Sequence, residues 1–546
     1  MKVILNKLLS ICLILVICLS CNKEDKSNLV VIGLENEIQT LNPLYTMSEV
    51  EANISELLFL GLVGHDWDYG KGEPTSFPVL ASSIEWENDS SSVLISLRND
   101  VKWENGKDLT VDDVIFSFDL YSDKSVQSRF YGTFYNFYLN KDLSIDLKKT
   151  FEIINSHKFR INFLPNRNTS YYDFDYPILP KYLFEKVHRN NLASSDTISI
   201  TSGTGPYKIK EWKKNQYVKL IATSNSIYSS PTQIKELVFK IVPDYTSRLY
   251  QLKNNDIDLT EFIKPEDVEN LASLGRFILK QRTGREYDYL GLRAYGAESN
   301  SSAKTRLFDS PKIRKAISLA INRESIVQEH LRNKGSLMSN PVAPIFSSVL
   351  NKDVIPLPFN LNEAKLILNS EGWNDSNNDG FLDKNGITFS FTLSFPSGNP
   401  LREYTAIRIQ NNLKAAGIKV ELQSLEPNVF FEKMFNKQFE AWLAGWSIPV
   451  PLNLKPYWHS DPKLAPGNIS SYKNKRVDEI LNTLDLRLSN NVRNNLIKEF
   501  QKIISEDQPV VFLFWIDNSV AINSRLRNVK VTPLATIQKC WEWEIN

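Results

Sequence analysis

The chain has 546 residues, 42% of them hydrophobic and 23% charged, with a formal net charge of +1. That length is too great for one ordinary core and suits two or three domains, and the composition is that of a folded globular protein. With no basic excess there is nothing to neutralise a phosphate backbone, so a nucleic-acid partner is excluded.

At the N-terminus, Lys2 and Lys7 flank the start of an almost wholly apolar run, Leu8 to Leu19, broken only by Ser10. The run is too short to cross a bilayer as a helix and fits the apolar core of a signal peptide. It ends at Cys18-Leu19-Ser20-Cys21, ahead of the polar segment Asn22 to Asn28. Those residues resemble the lipobox of bacterial lipoproteins, with Cys18 where Leu is usual. The resemblance implies a signal peptide over 1–20, lipidation of Cys21, a tether over 21–28, and a chain held by lipid to the membrane on the outer side of the cytoplasm. Cys21 and Cys540 alone would remain after cleavage. Lipid on Cys21 leaves Cys540 without a disulfide partner, so core size must hold the fold.

Further along, Leu29-Val30-Val31-Ile32-Gly33 is a continuous apolar run, which predicts a strand buried on both faces. Val93 to Leu97 reads as a strand. Thr110 with Asp113 predicts a capping box, and Val111, Val114, Ile115 and Phe118 continue an apolar helical stripe. Trp212 and Tyr217 to Leu220 bracket a polar turn and predict a hairpin. Ser310 before Pro311 predicts a helix start, with Ile313, Ala316, Ile317, Ala320 and Ile321 on its buried face. Periodicity alone says α/β or α+β.

Enzyme machinery is thin. There is no Gly-x-Ser-x-Gly elbow. Gly203-Thr204-Gly205-Pro206 lacks the spacing of a phosphate loop and reads as a tight turn. The histidines at 65, 157, 188, 330 and 459 are scattered without zinc spacing. Asp375 to Gly380 imitates the start of a calcium loop and Asp383 falls at its ninth position, but Gly386 stands where a bidentate Glu is required. We therefore expect no metal, no cofactor and no catalysis.

Several segments, taken in order, resemble the extracellular solute-binding proteins of family 5, the dipeptide-, oligopeptide- and nickel-binding receptors of ABC importers. They are Leu41-Asn42-Pro43-Leu44 with Leu58 to Val63, Pro78 to Ser83, and Val101-Lys102-Trp103-Glu104-Asn105-Gly106 with Thr110 to Val114. Gly203 to Tyr207 with Glu211-Trp212, then Asp256-Ile257-Asp258, Ile313 to Ala316, Ala320 to Arg323 and Gly372-Trp373 follow. Ala416-Gly417-Ile418, Gly445-Trp446 and Val477-Asp478 complete the series.

The resemblance implies an α/β, bilobal periplasmic-binding-protein-like fold of type II, with an extra domain in one lobe. Lobe I would comprise 29–62, 200–285 and 505–546, the extra domain 63–199, and lobe II 286–504. It also implies a monomer that binds a peptide or other small polar solute between its lobes and docks on ABC permease subunits. By position in the family pattern, Glu37, Ile38, Gln39 and Thr40, the Phe130-Tyr131 region, and Gly445, Trp446 and Ser447 face the ligand. Peptide receptors of this family carry, three residues past the Trp, an Asp that pairs with the ligand's amino group; here Pro449 stands there. Either another carboxylate such as Glu37 takes that role or the ligand is no standard free-amine peptide. The alternatives are a receptor for a sugar or metal chelate, and an exported sensor or adhesion lipoprotein that kept the fold.

Overall fold

The computed structural model describes residues 26–194, 203–293 and 307–546. Cys21 and the signal segment lie outside the described residues.

One mixed sheet of eleven strands runs through the molecule. Its order is Lys419–Leu425, Ser390–Pro396, Ala441–Ser447, Phe277–Leu292, Val510–Asn523, Leu259–Thr260, Leu29–Leu34, Glu236–Ile241, Tyr217–Ala222 and Tyr207–Lys213, with Gly335–Leu337 paired to Val510–Asn523 off this path. The two longest strands, of 16 and 14 residues, belong to both halves. Phe277 to Arg282 pairs with Asn518 to Asn523 on one side, Glu286 to Gly291 pairs with Val510 to Ile516 on the other, and the register shifts between Arg282 and Glu286. A bulge bends its strand and increases the local twist. The molecule is therefore two lobes joined by two crossing strands.

In the first lobe, Leu29–Leu34 lies between parallel neighbours and all six residues are buried, as the unbroken apolar run predicts. A four-stranded antiparallel sheet, in the order Ala81–Glu87, Ser92–Leu97, Lys158–Asn162, Phe151–Asn155, stands beside it. With helix Val111–Ser122 it contributes Val93, Ile95, Phe118 and Phe159 to the cluster that holds Val30 and Ile32. This appended sheet thus shares the first lobe's core. In the second lobe, helices Pro311–Ala320 and Pro400–Ala415 cover one face of the sheet, and Pro427–Phe435 and Asn490–Asp507 cover the other.

Local expectations meet mixed fates. The Thr110–Asp113 capping box forms, and the hairpin closes between Lys213 and Tyr217. Pro311 does open its helix, but the Ser310 hydroxyl donates to Glu371 Oε2 at 3.0 Å instead of capping it. The Asp375 carboxylate accepts from the backbone N–H groups of Asp379 and Gly380, closing a turn. Among the described residues no cluster of three His, Cys, Asp or Glu could hold a metal. Cys540 is buried and free, its thiol donating to the Ile537 carbonyl at 2.6 Å. Among the described residues no helix is long and apolar enough to cross a membrane.

Candidate ligand-binding cleft

Two cavities are lined from both lobes, and Arg285, in the wall of one of them, ties the lobes together. Its guanidinium donates from Nε to the Pro533 carbonyl at 2.9 Å, from one amino group to the Ile448 carbonyl at 2.7 Å, and meets Glu49 Oε2 at 3.3 Å. The Ile448 N–H returns a bond to the Arg285 carbonyl at 2.9 Å. One side chain thus ties helix Glu49–Leu58 and the C-terminal segment of the first lobe to the end of strand Ala441–Ser447 in the second. Arg282 shares Glu49 with it and has Glu261 at 3.9 Å.

The first cavity, about 440 Å³, is lined by Glu35, Phe262, Gly398 to Pro400, and Ser447. Each lies at or just past the carboxyl end of a sheet strand. That is where open α/β sheets gather ligands, because the chain leaves the sheet there and opens a crevice. Glu286 also lines this cavity; burial and the nearby Glu49 carboxylate push its carboxyl up, against the pull of Arg282 and Arg285. Burial draws the Arg285 guanidinium down.

The second cavity, about 360 Å³, lies toward the appended domain. Glu56, His65, Arg129, Phe130, Tyr172 and Asp175 line it from the first lobe, and Val450 and Pro451 from the second. The His65 ring is held between Ser76 Oγ, 2.9 Å from Nδ1, and Asp175 Oδ2, 2.7 Å from Nε2. Tyr172 stacks on that ring with centroids 4.1 Å apart. Glu56 is an exposed residue of its helix; crowding by the cavity wall pushes its carboxyl up, the Asp175 charge adds to the rise, and His65, Arg129 and Gln538 oppose it.

The loop between the first strand and the first helix is fixed by Glu51. Its carboxylate accepts from the backbone N–H groups of Gln39 (2.7 Å), Thr40 (3.2 Å), Met47 (3.0 Å) and Ser48 (3.1 Å). Burial alone would raise its pKa; the four donors outweigh it and hold the carboxyl below its ordinary range. Ser48 and Glu51 also form a capping box on helix Glu49–Leu58.

The residues nominated from sequence do not converge on one cavity. Glu37 and Ile38 line a pocket of about 70 Å³ that shares Glu35 and Phe262 with the larger cavity. Both Glu37 carboxylate oxygens are enclosed, without a hydrogen-bond partner among the described residues. Gln39 is exposed, and its carbonyl accepts from Lys214 Nζ at 2.9 Å; Thr40 Oγ1 accepts from the Asn42 N–H. Ser447 lines the larger cavity. Gly445 backs onto Asp288, and a Cβ there would meet Asp288 Oδ1 at 2.4 Å. Trp446 packs within the second lobe against Tyr457 (5.1 Å) and Phe435 (6.2 Å). Tyr131 donates to the Asp142 carbonyl within its own loop, while its neighbour Phe130 lines the second cavity.

Sequence reading passed over Glu49, Glu56, His65, Asp175 and Arg285. Ser48-Glu49-Val50-Glu51 is a legible capping box, and Arg282-Thr283-Gly284-Arg285-Glu286 is a polar break inside an otherwise strand-like stretch. His65 and Asp175, 110 positions apart, carry no such signal.

Comparison with known proteins agrees with this architecture. The family described as "Bacterial extracellular solute-binding proteins, family 5 Middle" matches residues 76–463. The oligopeptide-binding protein AppA of Bacillus subtilis is 29% identical over 539 residues, covering 96% of this chain and 93% of that protein. The structure of AppA from Bacillus subtilis in complex with a nonapeptide superposes with a TM-score of 0.75 at 26% identity, covering 95% of this chain and 99% of that one. The structure of NikZ from Campylobacter jejuni with Ni(L-His) gives 0.76 at 24% identity, covering 95% and 99%. The fold is thus the bilobal, type II binding-protein fold expected from sequence, and the chain belongs to the bacterial extracellular solute-binding proteins of family 5.

Proposed function

We propose that this protein is the lipid-anchored, solute-binding component of an ABC importer, which takes a peptide or related small polar solute between its lobes and passes it on unaltered to permease subunits. The observation that carries this reading is a pair of cavities each lined from both lobes, one of them at the strand crossing. A rotation about Arg282–Glu286 and Ile516–Asp517 would close the cavity at the crossing on a ligand, and water exclusion would strengthen every polar contact inside. The peptide class is supported by the 29% identity to an oligopeptide-binding protein over nearly the whole chain.

In this reading Cys21 carries the lipid, the chain acts as a monomer on the outer side of the membrane, and lobe II closes as a hinge on lobe I, which includes the extra domain. Glu37, Ile38, Gln39, Thr40, Tyr131, Gly445, Trp446 and Ser447 remain the proposed ligand-facing set. Pro449 favours a second reading, a ligand without a free amine such as a sugar or metal chelate.

A thermal-shift screen of the lipid-free protein against short peptides, sugars and metal chelates tests both. A true ligand at 100 times its dissociation constant adds about 2.7 kcal/mol of stability and is recovered chemically intact. A ligand recovered cleaved or modified would end the receptor reading.

A further inference from the structure

We infer that Glu56, in the cavity between the appended domain and Val450–Pro451, is the carboxylate that receives the ammonium group of the ligand. This rests on the receptor reading and supplies what Pro449 removes from it. An ammonium drawn out of water needs a charged partner, because unpaired it loses several kcal/mol of hydration. Pro449 offers no charge, yet the chain just past it, Val450 and Pro451, forms one wall of the cavity that Glu56 faces.

The Glu56 carboxylate is available. Among the described residues it meets Gln538 Nε2 at 3.5 Å and no ion-pair partner. The cations around the cavity are engaged elsewhere. Lys539 Nζ lies 2.7 Å from Asp66 Oδ2 and over the Phe77 ring at 5.0 Å. Arg129 donates to the Thr46 carbonyl at 3.2 Å and lies 4.3 Å over the Phe130 ring. The other acid, Asp175, is bound to His65. Its proximity raises the energy of an ionised Glu56 in the empty cavity, and an arriving cation relieves this.

The walls suit an organic cation. Phe130 and Tyr176 pack edge to face at 4.8 Å, and Tyr172 lies flat on His65 with its hydroxyl enclosed and unpartnered among the described residues. Apolar ring edges suit the carbon chain of such a ligand, and the spare hydroxyl oxygen can accept from an ammonium. A bare metal ion is disfavoured, because among the described residues no three ligating side chains come together. Glu37 also has an unpartnered carboxylate, but its pocket of about 70 Å³ leaves little room beyond a small ion.

The test uses matched peptides with a free and an acetylated N-terminus, and lysine- and norleucine-containing pairs, titrated calorimetrically at pH 8 into the native protein and into Glu56→Gln. The native protein should prefer the ammonium-bearing member of one pair by at least about tenfold, and Glu56→Gln should abolish that preference while still binding the neutral member. The pair that responds tells terminal amine from lysine side chain. Lowering the pH from 8 should weaken the native preference, because the raised Glu56 carboxyl takes up a proton more readily than an ordinary one, and binding by Glu56→Gln should show no such pH dependence. An ammonium preference that survives Glu56→Gln, or that disappears in Glu37→Gln instead, overturns the assignment. No binding of any peptide by the native protein overturns the peptide class of the proposed function and this inference with it, and leaves the receptor for a ligand without an amine.

Discussion

The carbonyl of Ile516 occupies the space where a side chain at Gly284 would begin: a Cβ built on Gly284 would lie 1.6 Å from Ile516 O. The two crossing strands touch backbone to backbone at the register shift, and the Gly284 N–H donates to Asp517 Oδ1 at 2.9 Å. Glycine is required there because no other residue permits so close an approach. Gly284→Ala should push the strands apart and cost about 2 kcal/mol or more in thermal unfolding, within the range of overpacking changes. A melting curve superimposable on the native one would show that the crossing yields freely.

Glu51 makes a second expectation, with a pH signature. Glu51→Gln keeps one acceptor oxygen but turns an amide N–H₂ toward two backbone donors, leaving them unpaired. The loss should be about 2–4 kcal/mol at neutral pH, by the scale of hydrogen bonds to charged groups. The native carboxyl is held below its unfolded value, so its stabilisation is full above the ordinary carboxylate range and fades as pH falls through the depressed folded value. The gap between native and variant denaturation midpoints should therefore narrow in acid. A gap that widens as pH falls would contradict the four-donor account.

Much of the fold was legible because its signals are local. The unbroken apolar run at Leu29 to Gly33, the Thr110–Asp113 box and the Pro311 helix start each state their conformation within a few residues, and the ordered series of family motifs supplied the two-lobed frame. The cleft was less legible because it is built from distance. Glu56, His65, Asp175 and Val450 reach one cavity from four separate stretches, and no spacing rule joins them. Ser310 shows the limit even of a local rule: its hydroxyl had a carboxylate, Glu371, within reach across the structure and took that partner over its own helix end. Position in a family pattern named Trp446 and Tyr131, but where each ring points is decided by packing.

Trp446 turns its ring toward Tyr457 and Phe435, while the next residue, Ser447, lines the larger cavity. If the end of this strand meets the ligand as proposed, Trp446→Ala should weaken binding at least about tenfold in calorimetry, the loss typical of a truncated aromatic anchor. Removing half-buried ring contacts should also lower stability by about 2–4 kcal/mol. A folded variant with native affinity would make Trp446 a packing residue of the second lobe and remove it from the cleft.

Behind Gly445, Arg402 meets Asp288 with two parallel bonds, Nε to Oδ2 at 3.1 Å and an amino group to Oδ1 at 2.7 Å. The Asp288 side chain is 3% exposed and that of Arg402 16%. The pair fastens the first turn of helix Pro400–Ala415 to strand Phe277–Leu292, beside the crossing. Burial alone would draw the guanidinium down, but the Asp288 carboxylate holds its pKa above the ordinary value. Arg402→Met strands a buried carboxylate and should cost about 3–5 kcal/mol at neutral pH. Asp288→Asn combined with Arg402→Met removes that stranded charge, so the double variant should regain most of the loss. The single variant should also recover part of its stability in acid, because an unpaired buried Asp288 would take up a proton more readily folded than unfolded. If the double variant is no more stable than Arg402→Met alone, the stranded charge is not what the arginine answers, and its contribution is the packing of its aliphatic stem.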